Sequence, residues 1–413
     1  MGERNWAGNF EYGAPIAHPE TIAELRDIVV GAKSVRALGS RHTFNALADD
    51  AELLVSTAGL PPQIRVDEGA STVTVGGGVR YGDLARVLQE SGWALHNLAS
   101  LPHISIAGAI ATATHGSGDR NGNLASAVSG LRILKADGEE VALNRGDVGF
   151  DGAVVSLGAL GVVTEVTLDI RPTFSVRQRL FENLPWDAVT GHLDAITSSA
   201  YSVSLFTTWD EDAVSLAWLK ERDGDTTSVE SDFFGARALT EARHMIPTMD
   251  VRNTTEQLGV LGPWSERLAH FRFEFTPSNG EEIQSEYLVP RARAVEAIEA
   301  VRAVAPAIAP LLQVTEIRTV AADELWLSSA YGTDVVGLHF TWFRDQAGVE
   351  AVLPLLEDAL LPLGARPHWG KVYLDREGMV PSLYPKLADF RELVGRYDPS
   401  GKFRNAFVDR ILR

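Results

Sequence analysis

The sequence predicts an α+β fold, and three observations carry that reading. Short strand-like segments alternate with helix-like runs over the first 170 or so residues, and longer alternating segments take over from about 175 to 375. The tail from Tyr384 to Arg413 begins as a helix. Apolar periods near 3.6 and 2 separate the two kinds of segment, and turn chemistry lies between them.

The elements follow in chain order. Pro19-Glu20-Thr21 leads into an amphipathic run from Ile22 to Ala32, with Thr21 placed as an N-cap. A strand from Ser34 to Leu38 breaks at Gly39, and another from Ser71 to Val75 ends in Gly76-Gly77-Gly78. A helix is expected from Tyr81 to Ser91. Gly130 to Leu134 and Glu140 to Leu143 flank the turn Ala136-Asp137-Gly138-Glu139 and read as a hairpin. The alternating stretch Gly161 to Ile170 is a further strand, closed by Pro172.

Beyond 175, Ser202 to Phe206 and His270 to Phe275 alternate as strands with one wet face should. Arg291 to Val304 is Ala-rich and reads as a helix, and Val335 to Trp342 as a strand. This part is expected to be a second domain on an antiparallel sheet.

Composition narrows the chemistry. None of the 413 residues is cysteine, which excludes disulfides, thiolate nucleophiles, iron–sulfur clusters and thiolate zinc sites. The formal net charge of −18 disfavours nucleic acid and anionic membranes as partners. The opening MGERNWAGNFEYGAP lacks a basic segment followed by an apolar core, and no window approaches a membrane span. A cytoplasmic monomer without nucleic-acid or membrane partners is expected.

Two segments carry functional signals. Gly39-Ser40-Arg41-His42-Thr43-Phe44-Asn45 follows a strand, and its small residues and backbone N–H groups suit an anion such as a pyrophosphate. Arg41 adds a charged donor. Taken alone, the pattern more often marks an ordinary turn. The second segment, LASLPHISIAGAIATATHGSG at 98–118, reads as a helix over 104–118 in which seven of fifteen residues are Gly or Ala. Such a helix allows close approach of a flat group or another backbone, and Ser105 is placed to cap it. A purely packing helix would not carry Thr112, Thr114, His115 and Ser117. His96, His103 and His115 are spaced without an HExxH pattern or nearby carboxylates, so no metal is expected.

Glu316 and Arg318 alternate on one strand and therefore share a face, as do His339 and Thr341 on another. An i, i+2 Glu/Arg pair is ordinarily a surface ion pair worth little. Lys371 follows Trp369 and a glycine, in surroundings apolar enough to desolvate it.

The chain resembles the vanillyl-alcohol-oxidase-type flavoproteins, and within them the alditol oxidases that act on xylitol or sorbitol. The resemblance rests on NWAGN at 5–9, GSRHTFN at 39–45, TVGGGVRYGDLA at 74–85, HNLASLPHISIAGAIATATHGSG at 96–118, LGALGVVTEVTL at 157–168, EIR at 316–318, HFTW at 339–342, HWGK at 368–371 and GKFRNAF at 401–407. It implies a two-subdomain FAD-binding domain of the PCMH type over residues 1–175, an α+β cap domain over 176–375, and a segment at 376–413 that returns to the FAD domain. It implies FAD joined covalently to His42, with contacts from Leu38, Gly39, Ser40, Arg41, Thr43, Phe44, Ser100, Ser105, Gly108, Thr112, Ala113, Thr114, His115 and Val162.

By the same matching, Ser100, Glu316, Arg318, His339, Thr341 and Lys371 bind a polyol, and Lys371 and Arg318 hold the reacting oxygen. Oxidation of a terminal hydroxyl would pass two electrons to O2 and yield hydrogen peroxide. Ala99, small and beside Ser100, is a candidate entry for O2. The rival reading is an aldonolactone oxidase or dehydrogenase of the same superfamily.

Overall fold

The computed structural model describes residues 3–50, 52–209, 212–225, 232–275 and 282–413. Its architecture is α+β, as the sequence predicts. Three larger sheets organise the described residues, beside a two-stranded pairing of Trp93–Ala94 with Arg171–Pro172. A small parallel sheet joins Ile16–Ala17, Leu54–Ser56 and Arg36–Leu38 in that spatial order. The Ile22–Gly31 helix accompanies it, and Thr21 caps that helix by accepting the Glu24 N–H at 3.1 Å.

A five-stranded antiparallel sheet runs Ile64–Asp67, Thr72–Gly76, Val162–Asp169, Val128–Leu134, Glu140–Asn144. The expected hairpin forms its edge, with Gly138 at φ +84° in the turn. The three glycines after Val75 have a packing reason. A Cβ on Gly77 would lie 2.4 Å from the Val163 carbonyl, and one on Gly78 2.2 Å from that of Thr57.

The third sheet is antiparallel and ten-stranded. Its centre runs Ser175–Pro185, Ala213–Arg222, Ser202–Thr207, Leu312–Val320, Val335–Phe343, Glu282–Pro290. Helices Ala294–Ile308 and Gln346–Leu360 contact the Glu282–Pro290 strand. The chain end, through helices Leu387–Tyr397 and Ala406–Leu412, lies against the N-terminal part. Val35 N–H donates to Lys402 O at 2.9 Å, and Lys402 Nζ to Val29 O at 2.8 Å. Arg36 is a buried hub whose guanidinium donates to the carbonyls of Leu47, Leu157 and Phe403, each at 2.6 Å.

Three sequence expectations are corrected. His270–Phe275 forms no strand; apart from one bridge between Thr254 and Phe271 it is irregular. Its backbone is used elsewhere: the amides of His270 and Phe271 both donate to Ser100 O, and the Phe273 carbonyl lies 3.0 Å from His103 Nε2. The alternating rings pack on two neighbouring loops, Phe271 against His244 and Phe273 against His103. Second, Ser202–Thr207 has no wet face, because all six residues are buried. Third, the helix expected over 104–118 spans only Ile106–Ala111. Ala113 at φ +53° ends it and turns the chain toward the third sheet, where Gly118 N–H donates to Thr319 O at 3.0 Å.

Candidate active site

The cleft begins where the Arg36–Leu38 strand runs out. Gly39 leaves room for Ser105 there, since a Cβ would lie 2.5 Å from its Oγ and push it off the loop. The loop is clamped to the Ile106–Ala111 helix by reciprocal bonds: Ser105 N–H donates to Ser40 Oγ at 3.0 Å and Ser40 N–H to Ser105 Oγ at 3.3 Å. Ser105 occupies the cap position, but its side chain bonds this loop rather than capping. The amides of Ile106 and Ala107 are also taken, by the carbonyls of Val79 and Gly77. These amides are therefore not free for an anion, and the loop offers the free ones. Arg41 adopts φ +63°, and among the described residues the amides of Arg41, His42 and Thr43 have no protein acceptor. Consecutive free amides around a left-handed residue form an anion nest. The Arg41 side chain, expected as a donor to the anion, is paired with Glu3 instead.

His42 stacks on Trp6, with centroids 5.3 Å apart. Its Nδ1 lies 3.1 Å from Ser40 Oγ, while Nε2 is buried without a partner. Burial above all, aided by His103, pushes its pKa down to about 4, so the ring is neutral. A neutral imidazole is what attachment to a flavin methyl group requires, because the ring nitrogen must offer a lone pair. The amide nest, the bulk-free approach at Gly39 and Gly108, and this histidine together fit FAD.

The same loop anchors the other end of the cleft. Phe44 N–H donates to Gly370 O at 2.8 Å, and Asn45 Nδ2 to Lys371 O at 2.7 Å. Lys371 is thus fixed relative to His42. The third sheet supplies the facing wall. Strand register sets Glu286, His339 and Glu316 in one row, with Gln284 and Thr341 in the next. These side chains share a face because each strand alternates.

At the centre stands Glu286, a residue the sequence reading missed. Its Oε1 lies 2.9 Å from Arg318 Nη2 and 3.2 Å from His115 Nε2, and its Oε2 lies 2.7 Å from Lys371 Nζ. Burial opposes its ionisation, but Arg318, Lys371 and His115 outweigh burial and hold the carboxyl well below the usual carboxylate range. Burial likewise pushes the Lys371 ammonium down, and Glu286 opposes that shift.

Arg318 sits on the Leu312–Val320 strand and Glu286 two strands away. They meet across Gly337, whose Cβ would lie 3.2 Å from Glu286 Oε1. Arg318 Nη1 also reaches Ser100 Oγ at 3.2 Å and lies 3.5 Å from Glu316 Oε2. His339 is 3.6 Å from that oxygen, and burial lowers its pKa to about 4.

All the sequence-predicted site residues line this one cleft except Ala113, which is buried behind it at the left-handed turn. Glu316 and Arg318 are no surface pair, since both are almost wholly buried. The histidines weighed as metal ligands are separate: His96, His103 and His115 bond the carbonyls of Gly122, Phe273 and Gly116. Among the described residues no cluster of acidic and histidine side chains could hold a metal, and no helix is long and apolar enough to cross a membrane.

Sequence reasoning also passed over Gln284, His270 and His368, which line the cleft. One signal was available: Glu282, Gln284 and Glu286 recur at every second position of a strand otherwise holding Ile283, Ser285 and Tyr287.

Comparison with known proteins agrees with this geometry. An FAD-binding-domain family model matches residues 14–144, and a D-arabinono-1,4-lactone oxidase model matches residues 276–411. An alditol oxidase from a Streptomyces species is 49% identical over 99% of this chain and 98% of its own. An L-gulono-1,4-lactone dehydrogenase from Mycobacterium tuberculosis is 29% identical over the same shares of the two chains. Among solved structures, a cholesterol oxidase from B. sterolicum superposes with a TM-score of 0.78 at 14% identity, covering 99% of this chain and 96% of that one, which shows a shared fold.

Proposed function

The chain belongs to the FAD-dependent alditol oxidase family, and from that premise we propose that it oxidises the terminal primary hydroxyl of an alditol such as xylitol or sorbitol to the aldose. Oxygen is the electron acceptor: R–CH2OH and O2 give R–CHO and H2O2. The observation that carries the reading is the cation pair Lys371 and Arg318, held on one buried carboxylate beside a wall of fixed hydroxyl-binding groups.

Within this proposal the FAD lies along residues 38–44 and the 100–118 segment, attached to His42. Residues 1–175 and 376–413 hold it, and 176–375 close over the substrate. Bound FAD supplies the hydride acceptor and, once reduced, the electrons for O2. The protein supplies position and electrostatics. Lys371 Nζ and Arg318 Nη1 donate to the reacting oxygen and stabilise its alkoxide-like form, which eases loss of the hydroxyl proton. Glu286 keeps both cations aimed, while Ser100, Glu316, His339 and Thr341 receive the neighbouring hydroxyls. Buried polar groups of this kind go unpaired when a substrate lacks those hydroxyls, so the site discriminates against simple alcohols.

The family model over residues 276–411 favours a second reading, oxidation of an aldonolactone. An oxygen electrode separates the two. Oxygen uptake with xylitol and none with gulono- or arabinono-lactone is expected; the reverse result replaces the first reading with the second. Turnover that needs an artificial acceptor makes the enzyme a dehydrogenase.

A further inference from the structure

The Ala213–Arg222 strand buries a lysine that the oxidation chemistry above does not use. Lys220 is 1% exposed. Its Nζ lies 2.5 Å from Leu268 O, 2.9 Å from Ala269 O and 3.1 Å from His270 Nδ1. The far nitrogen of that imidazole, Nε2, lies 2.8 Å from Glu316 Oε1. The ring is fixed by the edges of Trp218 and Phe206, at 5.3 and 5.8 Å, and its own amide donates to Ser100 O at 3.1 Å.

Donor counting sets the protonation pattern of this chain. Burial pushes the Lys220 ammonium down to about 7, and Glu316 opposes that shift; as an ammonium its three N–H groups satisfy both carbonyls, which only accept, and His270 Nδ1. The imidazole proton then stands on Nε2 and points at Glu316. The opposite tautomer would set an Nε2 lone pair against a carboxylate oxygen, an arrangement with no hydrogen bond and buried repulsion. Burial pushes His270 down to about 4, so the ring carries a single proton. Arg318 and His270 outweigh burial at Glu316 and keep it ionised.

We propose that Lys220 and His270 are positioning residues that make Glu316 an obligate acceptor for a substrate hydroxyl. They fill Oε1 with a donor and leave Oε2, beside Arg318 Nη1 and His339 Nδ1, to accept from the substrate. This rests on the polyol reading above. Neither residue touches the reacting carbon; they act through Glu316.

The test compares His270→Gln with His270→Leu in the FAD-loaded enzyme. Glutamine can accept from Lys220 and donate to Glu316, whereas leucine does neither. His270→Gln should keep KM for xylitol within about threefold of wild type, and His270→Leu should raise it tenfold or more with kcat changed far less. KM for 1,5-pentanediol, which lacks the inner hydroxyls, should be alike in both variants. Equal xylitol KM values in the two variants, or parallel losses on both substrates, would overturn the proposal. Where His270→Leu does not fold, nitrogen-15 NMR of histidine-labelled wild type decides, with the His270 signal assigned by its loss in His270→Gln. Protonation at Nε2 supports the proposal and protonation at Nδ1 sinks it. Should wild type leave xylitol untouched, the polyol reading fails by itself, and the tautomer still decides for or against the Lys220–His270 prop.

Discussion

Lys371 Nζ stands 2.7 Å from Oε2 of Glu286, a carboxylate whose side chain has no exposed surface, and Arg318 holds the other oxygen at 2.9 Å. One buried anion thus aims both cations of the site. Glu286→Gln leaves Lys371 and Arg318 desolvated without their counter-ion, an imbalance that costs about 3–5 kcal/mol when a buried pair is broken. The variant should melt lower and lose about a hundredfold or more in kcat/KM while still binding FAD. Because Glu286 opposes the burial-driven fall of the Lys371 pKa, its removal lowers that pKa further. Lys371 then deprotonates earlier, and the alkaline limb of the rate profile shifts to lower pH. Adding Lys371→Met to Glu286→Gln should recover stability but no turnover. Near-normal rates for Glu286→Gln would remove the carboxylate from the mechanism.

The cofactor attachment has a direct assay. Acid precipitation of wild type should leave the yellow colour in the pellet, and the same treatment of His42→Ala should release it to the supernatant. Colour released from wild type would show that the FAD is bound without a covalent link. His42→Ala should bind FAD through the remaining amide nest, because the free amides of Arg41 and Thr43 do not depend on the ring.

What the sequence made legible was local. The Gly39–Asn45 loop shows its glycine and small residues in a row, and Glu316 and Arg318 declare a common face by alternation. Glu286 shows in the sequence only as one polar position of an alternating strand, because its meaning lies in partners 32 and 85 residues away, brought to it by strand register. His270 was misread because alternation along 270–275 serves two neighbouring loops instead of a ladder. The 104–118 segment was overextended as a helix because Ala and Thr give no stop signal there; the stop is a left-handed Ala113, a conformation sequence seldom announces.

Acid should destabilise this protein in a defined window. His42, His96, His244, His270 and His339 are each pushed down to about 4, chiefly by burial. The unfolded chain takes up those protons near the ordinary histidine value of about 6.5, so between there and about 4 it binds more protons than the folded form. The stability that rests on these histidines is therefore full above about pH 6.5 and is lost as pH falls toward 4. His96 lies outside the cleft against Gly122 O, which makes it a clean probe. Its shift from 6.5 to about 4 corresponds to ~3 kcal/mol across the window. Thermal midpoints at pH 7 and pH 4.5 should differ less in His96→Gln than in wild type. Parallel midpoints would show that His96 is protonated in the folded state.

Gly337 tests whether the crossing of Arg318 to Glu286 matters for more than packing. The glycine sits on the strand between theirs, and the pair meets in the space its missing side chain leaves. An added Cβ would lie 3.2 Å from Glu286 Oε1 and 3.7 Å from both Arg318 Cγ and His115 Cε1. The two longer distances are ordinary contacts, and the first is relieved when the Glu286 carboxylate gives by a few tenths of an ångström, so Gly337→Ala should fold with a thermal midpoint within a few degrees of wild type. The displaced carboxylate, however, is the one that aims Lys371 and Arg318 at the reacting oxygen, and catalytic alignment tolerates little misplacement. Gly337→Ala should therefore lower kcat by about tenfold or more while KM for the polyol moves much less. An equal rise in KM would mean that the crossing shapes substrate binding. Wild-type kinetics would mean that Arg318 and Glu286 act without their mutual contact.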